Sequence, residues 1–546
     1  MLATTALDTL NLKGGASATT ASGNLDLIKS AADTTTAVTT LNVNSAGGFI
    51  GSLGVAGNST QAAGFTAVNI ASAADTTFAN AALAGNKTLT VSGSGVTTFT
   101  ALTAANNAAL TSIVSTGGGL KIGTELANNV SFTGGAGNDE IAVGATTKAI
   151  NMGAGNDVVT VSTTVLGAGG SINGGDGIDT LVANVNGSAF VGLPGFSGFE
   201  VLRVAGAAAL GTHNAVGFTA LEVGAVAGNT TFTNVAAGIG LTQLASFGGG
   251  SDVVVTLADA TGTNDTFNLT LKSAGAIGAA GETITINGVE NINITSTDTD
   301  TTAHQNTVAL IADAAKSIVV SGNAGVAFVN APATVTSFDA TGVVVGKATD
   351  NGVTFTSTNA TVAENVSIKG SNGVDILSGS ATANDTIYGG AGNDTLIYTG
   401  GTDFLYGEAG NDTFDVNAVG TKTSYLTIGD AVKDDKIDLA GASVGTIQNG
   451  ALGAKVTLGA AATFDQYLDE AAKTIIVDLD DADADGNVAT GIDAVVKWFQ
   501  FGGDTFVVVD NSIATSFQSG TDSVIKLTGL LDLSTSAFAG EVLTIA

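Results

Sequence analysis

The sequence predicts an all-β chain, an elongated β-solenoid or parallel β-roll, with one minor helix near the C-terminus. Three observations lead there. Within residues 384–415, NDTIYGGAGNDTLIYTGGTDFLYGEAGNDTFD, the acids Asp385, Asp394, Asp403 and Asp412 recur every nine residues. Phrases of period two, such as FTAVNI (65–70), KTLTVSG (87–93), LTSIVS (110–115) and KSIVVSG (316–322), return between Gly and Asn turns and read as short strands. Long amphipathic helices, which a compact α/β enzyme needs, are almost absent. Short recurring strands that seldom bury a large aromatic suit stacked rungs.

Taken in order, residues 1–125 are rich in Ala, Thr, Asn and Gly and read as solenoid-like rungs. A first glycine–aspartate block occupies 126–185, with FTGGAGNDEIAV, INMGAGNDVVTV and INGGDGIDTLV. Its turns contribute Gly135, Gly137 and Asp139, then Gly153, Gly155 and Asp157, then Asp176 and Asp179. Asp139 and Asp157 are 18 apart, whereas Asp179 follows after 22, so one turn carries an insertion of four residues. Residues 186–365 form a further β-rich segment. The second block, 366–440, holds Asp375, Asp385, Gly390, Gly392, Asp394, Asp403, Gly410 and Asp412 and closes at DDKIDL with Asp435 and Asp438. From 441 to 546 the character changes. TFDQYLDEAAK (463–473) places Phe464, Tyr467, Leu468 and Ala471 at helical spacing behind a Thr463/Gln466 capping box. VKWFQFGGDTFVVVD (496–510) reads as a hairpin with Trp498 in a core, and DSVIKLTGL and EVLTIA as closing strands.

Each nine-residue unit is a glycine turn ending in an acid, followed by a three-residue strand whose middle side chain points inward. Ile387, Leu396, Leu405 and Phe414 hold that inward place in the second block, and Ile141, Val159 and Leu181 in the first. Two units complete a turn, so acids 18 apart stack one strand spacing apart, ~4.8 Å. Carboxylates at that distance repel by roughly 3 kcal/mol at an effective dielectric of 20. Ca²⁺ relieves the repulsion: it takes about 6 to 8 oxygens, which successive turns supply as carboxylates and glycine-loop carbonyls. Glycine lets the loop pass through positive φ. The pattern GGxGxDxUx resembles the calcium-binding signature of RTX proteins. About two ions are expected in the first block and about three to five in the second, because ions sit between turns.

Two further acidic clusters lie outside the repeats. DLDDADADGNVATGID (478–493) sets Asp481, Asp483 and Asp485 before Gly486 in the order of an EF-hand-like loop, but position twelve is Ile492; calcium loop and solvated hairpin tip remain equal readings. STDTDTT (296–302) puts Asp298 and Asp300 on one face of an extended segment, a candidate calcium contact shared between subunits.

Composition narrows the function. Asp plus Glu number 48 against 17 Lys plus Arg, a net charge of −31, which disfavours nucleic acid and anionic membrane and favours cations. Cysteine is absent, so neither disulfides nor thiol chemistry contribute. No uninterrupted apolar run reaches membrane-spanning length, so no membrane insertion is expected. MLATTALDTLNLKGG lacks the basic region and long apolar core of a secretory signal; if the protein is exported, another route must carry it. The chain is expected not to be an enzyme: His213 and His304 cannot form HExxH, and GFSGF (195–199) has Phe where GxSxG needs its last Gly.

From about residue 110 to the end, the chain resembles the C-terminal half of the Caulobacter-type calcium-dependent S-layer family. The resembling phrases are GATTKAINMGAGNDVVTV, LVANVNGSAF, LRVAGAAA, TTAH with KSIVVSGNAG, LIYTGGTD, and KWFQFGGDTFVVVD with VIKLTGL. Residues 1–110 are similar in composition alone. The resemblance implies a secreted structural protein of the bacterial cell surface, exported by a type I secretion system through an uncleaved C-terminal signal. It implies a two-dimensional lattice of hexamers formed with Ca²⁺, with 186–365 as a lattice domain, the repeat Asps as ligands, and roughly 440–546 carrying the export signal. The family holds lipopolysaccharide through an N-terminal anchoring domain that has no counterpart here, so an anchoring domain elsewhere or a second protein is the expected partner. The alternative is an RTX adhesin or biofilm-matrix protein.

Overall fold

The computed structural model describes residues 2–3, 9–12, 27–28, 40–47, 50–53 and 65–546, apart from 82–84, 106, 191–194, 207–210, 248–249, 274, 279–280, 300–303, 348, 362–363, 443–451, 474–493 and 513. The described chain is nearly all β, a parallel β-solenoid with one short α-helix, Phe464–Ala471. It forms two compact units, Met1–Leu241 with Thr256–Ala258 and Thr242–Val255 with Asp259–Ala546.

In the first unit the chain alternates between two parallel ladders. One runs through Thr40–Ser45, Ala67–Ser72, Thr88–Ser92, Ser112–Ser115, Ser131–Thr133, Ala149–Asn151 and Ser171–Asn173. The other includes Thr97–Phe99, Leu120–Leu126, Glu140–Val143, Val158–Val161, Thr180–Ala183 and Val201–Gly206. Period-two sequences put alternate side chains inside. Leu41, Val68, Leu89, Ile113, Phe132, Ile150 and Ile172 therefore stand in register, each fully buried on the one before. The insertion between Asp157 and Asp179 stays in the loop between Val161 and Ser171 and leaves Val159 paired with Leu181. A slip of one residue would have turned the inward row outward, so the loop absorbs the excess.

The second unit repeats the plan. Ile368, Ile387, Leu405 and Ile428 stack in one ladder, and Leu377, Leu396, Phe414 and Ile437 in the other, all buried. Residues 18 apart are direct neighbours, Thr386 opposite Phe404 and Thr395 opposite Thr413, as the nine-residue period requires.

Both ladders of this unit end under C-terminal strands. Ser523–Leu527 pairs with Leu426–Ile428, and Val542–Thr544 runs antiparallel to Lys436–Asp438. Covering the last rungs satisfies the open N–H and C=O groups that an exposed parallel edge would offer to other chains. Val495–Phe501 and Asp504–Asp510 form the expected hairpin, with Trp498 buried. The helix lies on it through Leu468, Ala471 and Ala472 against Phe499, Phe506 and Val508. Thr463 and Gln466 make the reciprocal capping bonds. No helix among the described residues is long and apolar enough to cross a membrane.

Candidate metal centre

An acid directly precedes the strands that start at Glu140, Val158, Thr180, Thr386, Thr395, Phe404, Thr413 and Lys436, and Asp375 is the second residue of Val374–Ser378; the stacking of turns decides where each carboxylate goes. One oxygen accepts the main-chain N–H of the corresponding residue one turn earlier. In the first block Asp157 Oδ1 takes the N–H of Asp139 at 2.7 Å, Asp179 Oδ1 that of Asp157 at 2.8 Å, and Glu200 Oε2 that of Asp179 at 2.8 Å. The second block has two such columns. Asp394 bonds to Asp375 N–H (2.9 Å), Asp412 to Asp394 N–H (2.9 Å) and Asp435 to Asp412 N–H (3.0 Å). On the other ladder Asp385 accepts from Val366 (2.7 Å) and Asp403 from Asp385 (2.8 Å). The neighbouring asparagines form a neutral ladder that runs the opposite way, accepting from the turn that follows: Asn138 accepts from Asn156 N–H, Asn384 from Thr402 and Asn393 from Asn411.

The second oxygen separates the acids into two kinds. Asp375 Oδ2 takes the N–H of Ser371 at 2.6 Å, Asp385 Oδ2 that of Ser380 at 2.5 Å, and Asp435 Oδ2 that of Val432 at 2.8 Å. Oδ2 of Asp139, Asp157, Asp179, Asp394 and Asp403 is buried with no hydrogen-bond partner. The unbonded oxygen commonly faces the first glycine of its loop: a Cβ at Gly389 would stand 2.5 Å from Asp394 Oδ2, and one at Gly174 2.7 Å from Asp179 Oδ2. These glycines keep space open beside a bare anionic oxygen.

Such burial is unfavourable to charge. Desolvation is the largest influence on Asp139, Asp157, Asp179, Asp375, Asp394, Asp403, Asp412 and Asp435, and repulsion from neighbouring acids adds to it at all of these but Asp139 and Asp375. Asp394 and Asp403 are pushed up to about 8, Asp157 to about 7, and Asp139, Asp375 and Asp412 to about 6; Asp179 and Asp435 are raised for the same reasons. Buried, unpartnered oxygens, in a row at Asp139, Asp157 and Asp179 and single at Asp394 and Asp403, with no nitrogen or sulfur donor among them, fit a hard divalent cation such as Ca²⁺. Among the described residues no three acids, histidines or cysteines gather round one point. Side chains alone therefore cannot fill a calcium shell, and loop carbonyls must join them.

Residues 369–405 and 399–418 match the family of the RTX calcium-binding nonapeptide repeat, in four copies. The chain carries RTX repeats. No curated protein matches the chain in sequence. RTX repeats bind calcium, and with the β-solenoid they fit an extracellular RTX-type protein of structural or adhesin-like kind.

The other sequence-derived residues lie as follows. Gly153, Gly155, Gly390, Gly392 and Gly410 adopt positive φ. Gly135 and Gly137 do not; Gly137 is required for space, because the backbone of Gly118 and Gly119 occupies the place of a Cβ. Asp176 is exposed and joins its neighbour only through a main-chain bridge to Ala154. Asp438 is half-buried and accepts the N–H of Ala440, outside the Asp435 column. Asp298 binds His304 Nδ1 at 2.7 Å, while Asp300 lies outside the described residues. Asp481, Asp483 and Asp485 lie outside them too. His213 is fully buried, its Nδ1 2.7 Å from Ser188 Oγ. Sequence reading missed Glu200, which ends the first column, and Glu290, which accepts Asp265 N–H at 2.8 Å in the same manner. The signal was present in FEVL and VENI, where an acid immediately precedes a strand without any glycine loop.

Proposed function

We propose that this chain is a non-catalytic structural protein of a bacterial surface layer, which folds on binding Ca²⁺ outside the cell and assembles into a two-dimensional lattice of hexamers. The observation that carries the reading is the stacking of buried acids in columns, with Oδ2 of Asp139, Asp157, Asp179, Asp394 and Asp403 left without a hydrogen-bond partner. They make folding conditional on a cation, since the stacked acids oppose the solenoid when they are charged and bare. In a low-calcium cytoplasm repulsion among Asp394, Asp403, Asp412 and their neighbours keeps the chain loose enough for a type I secretion system. Outside, Asp139, Asp157, Asp179, Asp394 and Asp403 would hold the ions, and Ca²⁺ when bound supplies the positive charge that cancels that repulsion. Binding energy then becomes folding energy.

The lattice, its hexameric order and attachment through a lipopolysaccharide-binding domain or second protein are supported by the resemblance of the C-terminal four-fifths to the Caulobacter-type family. A net charge of −31 supports the further reading that neither nucleic acid nor direct membrane insertion is involved. The test is electron microscopy of the purified protein before and after calcium addition. Ordered sheets are expected. Dispersed, folded particles at saturating calcium would transfer the reading to an RTX adhesin or biofilm-matrix protein.

A further inference from the structure

A second acidic centre lies away from the repeat columns, within the C-terminal hairpin. Asp510 ends the strand Asp504–Asp510, and Asp522 immediately precedes Ser523–Leu527, its antiparallel neighbour, where Val509 pairs with Ser523. That register brings the two acids together at one end of the sheet. Both are completely buried, and their carboxyl groups lie within hydrogen-bonding reach of each other.

The loop between them is folded inward onto Asp522. Its Oδ1 accepts the N–H of Asn511 at 2.9 Å; its Oδ2 accepts the N–H of Gln518 at 2.6 Å and faces Ser512 Oγ at 3.4 Å. Asp510 is less well served. Its Oδ1 accepts the Ser512 N–H at 3.2 Å, and its Oδ2 is buried with no hydrogen-bond partner. Lys497 acts on Asp510 only at longer range and forms no salt bridge with it. Two buried carboxylates in contact are a costly arrangement, because each must leave water and then face a like charge. A cation between them, or a proton shared by them, removes the cost.

We propose that Asp510 and Asp522 form a separate site for a hard divalent cation, Ca²⁺ in the first instance, with the Ser512 hydroxyl beside it. The donors are all oxygen, with no imidazole or thiolate to favour a softer metal. Desolvation and the Asp522 charge raise Asp510 to about 7, which agrees with an anionic oxygen that lacks its counter-charge. The consequence is structural. The ion would pin the loop 511–522 to the hairpin, and Ser523–Leu527, which follows directly, is the strand that covers the rung Leu426–Ile428. Calcium would thereby fasten the cap as well as the repeats.

The single tryptophan makes the site separately readable. Trp498 pairs with Val507, three residues from Asp510, so it lies about 10 Å away along the strand. Tyr388 and Tyr406 stack on the repeat block instead. Terbium, a luminescent calcium substitute, is titrated into the calcium-free full-length chain, with excitation first of tryptophan alone and then of tyrosine. Wild-type protein should show tryptophan-sensitised emission that calcium competes away. D510N and D522N should each lose that band and one bound calcium per chain while the tyrosine-sensitised band persists. No tryptophan-sensitised emission from folded wild-type protein, or its retention in both variants, overturns the proposal and leaves a proton-sharing pair. Should D510N fail to fold, D522N and the wild-type titration decide the question on their own.

Discussion

Removal of calcium should make the fold acid-loving, which is the reverse of the usual behaviour of a carboxylate-rich protein. Asp394 and Asp403 have an ordinary value of 3.8 and are raised to about 8 in the folded, ion-free chain. Between those limits the folded chain binds more protons than the unfolded chain, so stability falls as pH rises. It is fully present below about 3.8, and the loss is complete once pH has passed the folded value of about 8. For each of the two groups the loss between pH 5 and pH 8 is on the order of 4 kcal/mol, at about 1.4 kcal/mol per unit. Together they approach the whole stability of an ordinary domain, roughly 5 to 15 kcal/mol. Protein stripped of metal by dialysis should therefore keep its β circular dichroism at pH 5 and lose most of that of the repeat block at pH 8. Saturating calcium should restore the spectrum at pH 8 and invert the slope, since protons and ions compete for the same oxygens. An ion-free chain with equal melting temperatures at pH 5 and pH 8 would refute the account of the buried acids.

Single substitutions separate the two kinds of acid. D403N should lower the number of bound calcium ions, measured by equilibrium dialysis, more than D385N does, because Asp385 Oδ2 already holds the Ser380 N–H whereas Asp403 Oδ2 holds nothing. D394A should damage calcium-induced sheets in electron micrographs more than H304A. G389A should abolish calcium-induced folding of the second block, since its methyl group would meet Asp394 Oδ2 and the Gly407 carbonyl. Glu408 occupies a repeat glycine position at φ +66, so E408G should relieve about 1 kcal/mol of strain and raise the ion-free melting temperature. F499A should cost about 3 to 5 kcal/mol in the cap, where Phe499 packs on Phe464, Tyr467 and Phe506, and hydrogen exchange should show the loss there first.

The all-β class, the two strands per turn and the inward row of Ile387, Leu396, Leu405 and Phe414 were legible in the chain because they rest on period, and period is a local property of sequence. The same holds for the helix behind Thr463 and the hairpin around Gly502 and Gly503. Local pattern also named Asp394 and Asp403 correctly as members of one repeating set. What it could not do was distinguish Asp403 from Asp385, which have the same spacing. That difference lies in whether a neighbouring loop turns an N–H toward the second oxygen, as Ser380 does, and it emerges only after the turns have stacked. Glu200 escaped notice because its column bond needs no glycine loop, and Asp510 and Asp522 because 11 residues separate partners that only antiparallel pairing brings together. The sequence by itself determined where the acids recur; the tertiary structure decided which of them are left with a buried oxygen and no proton donor, because that depends on backbone groups contributed by another turn.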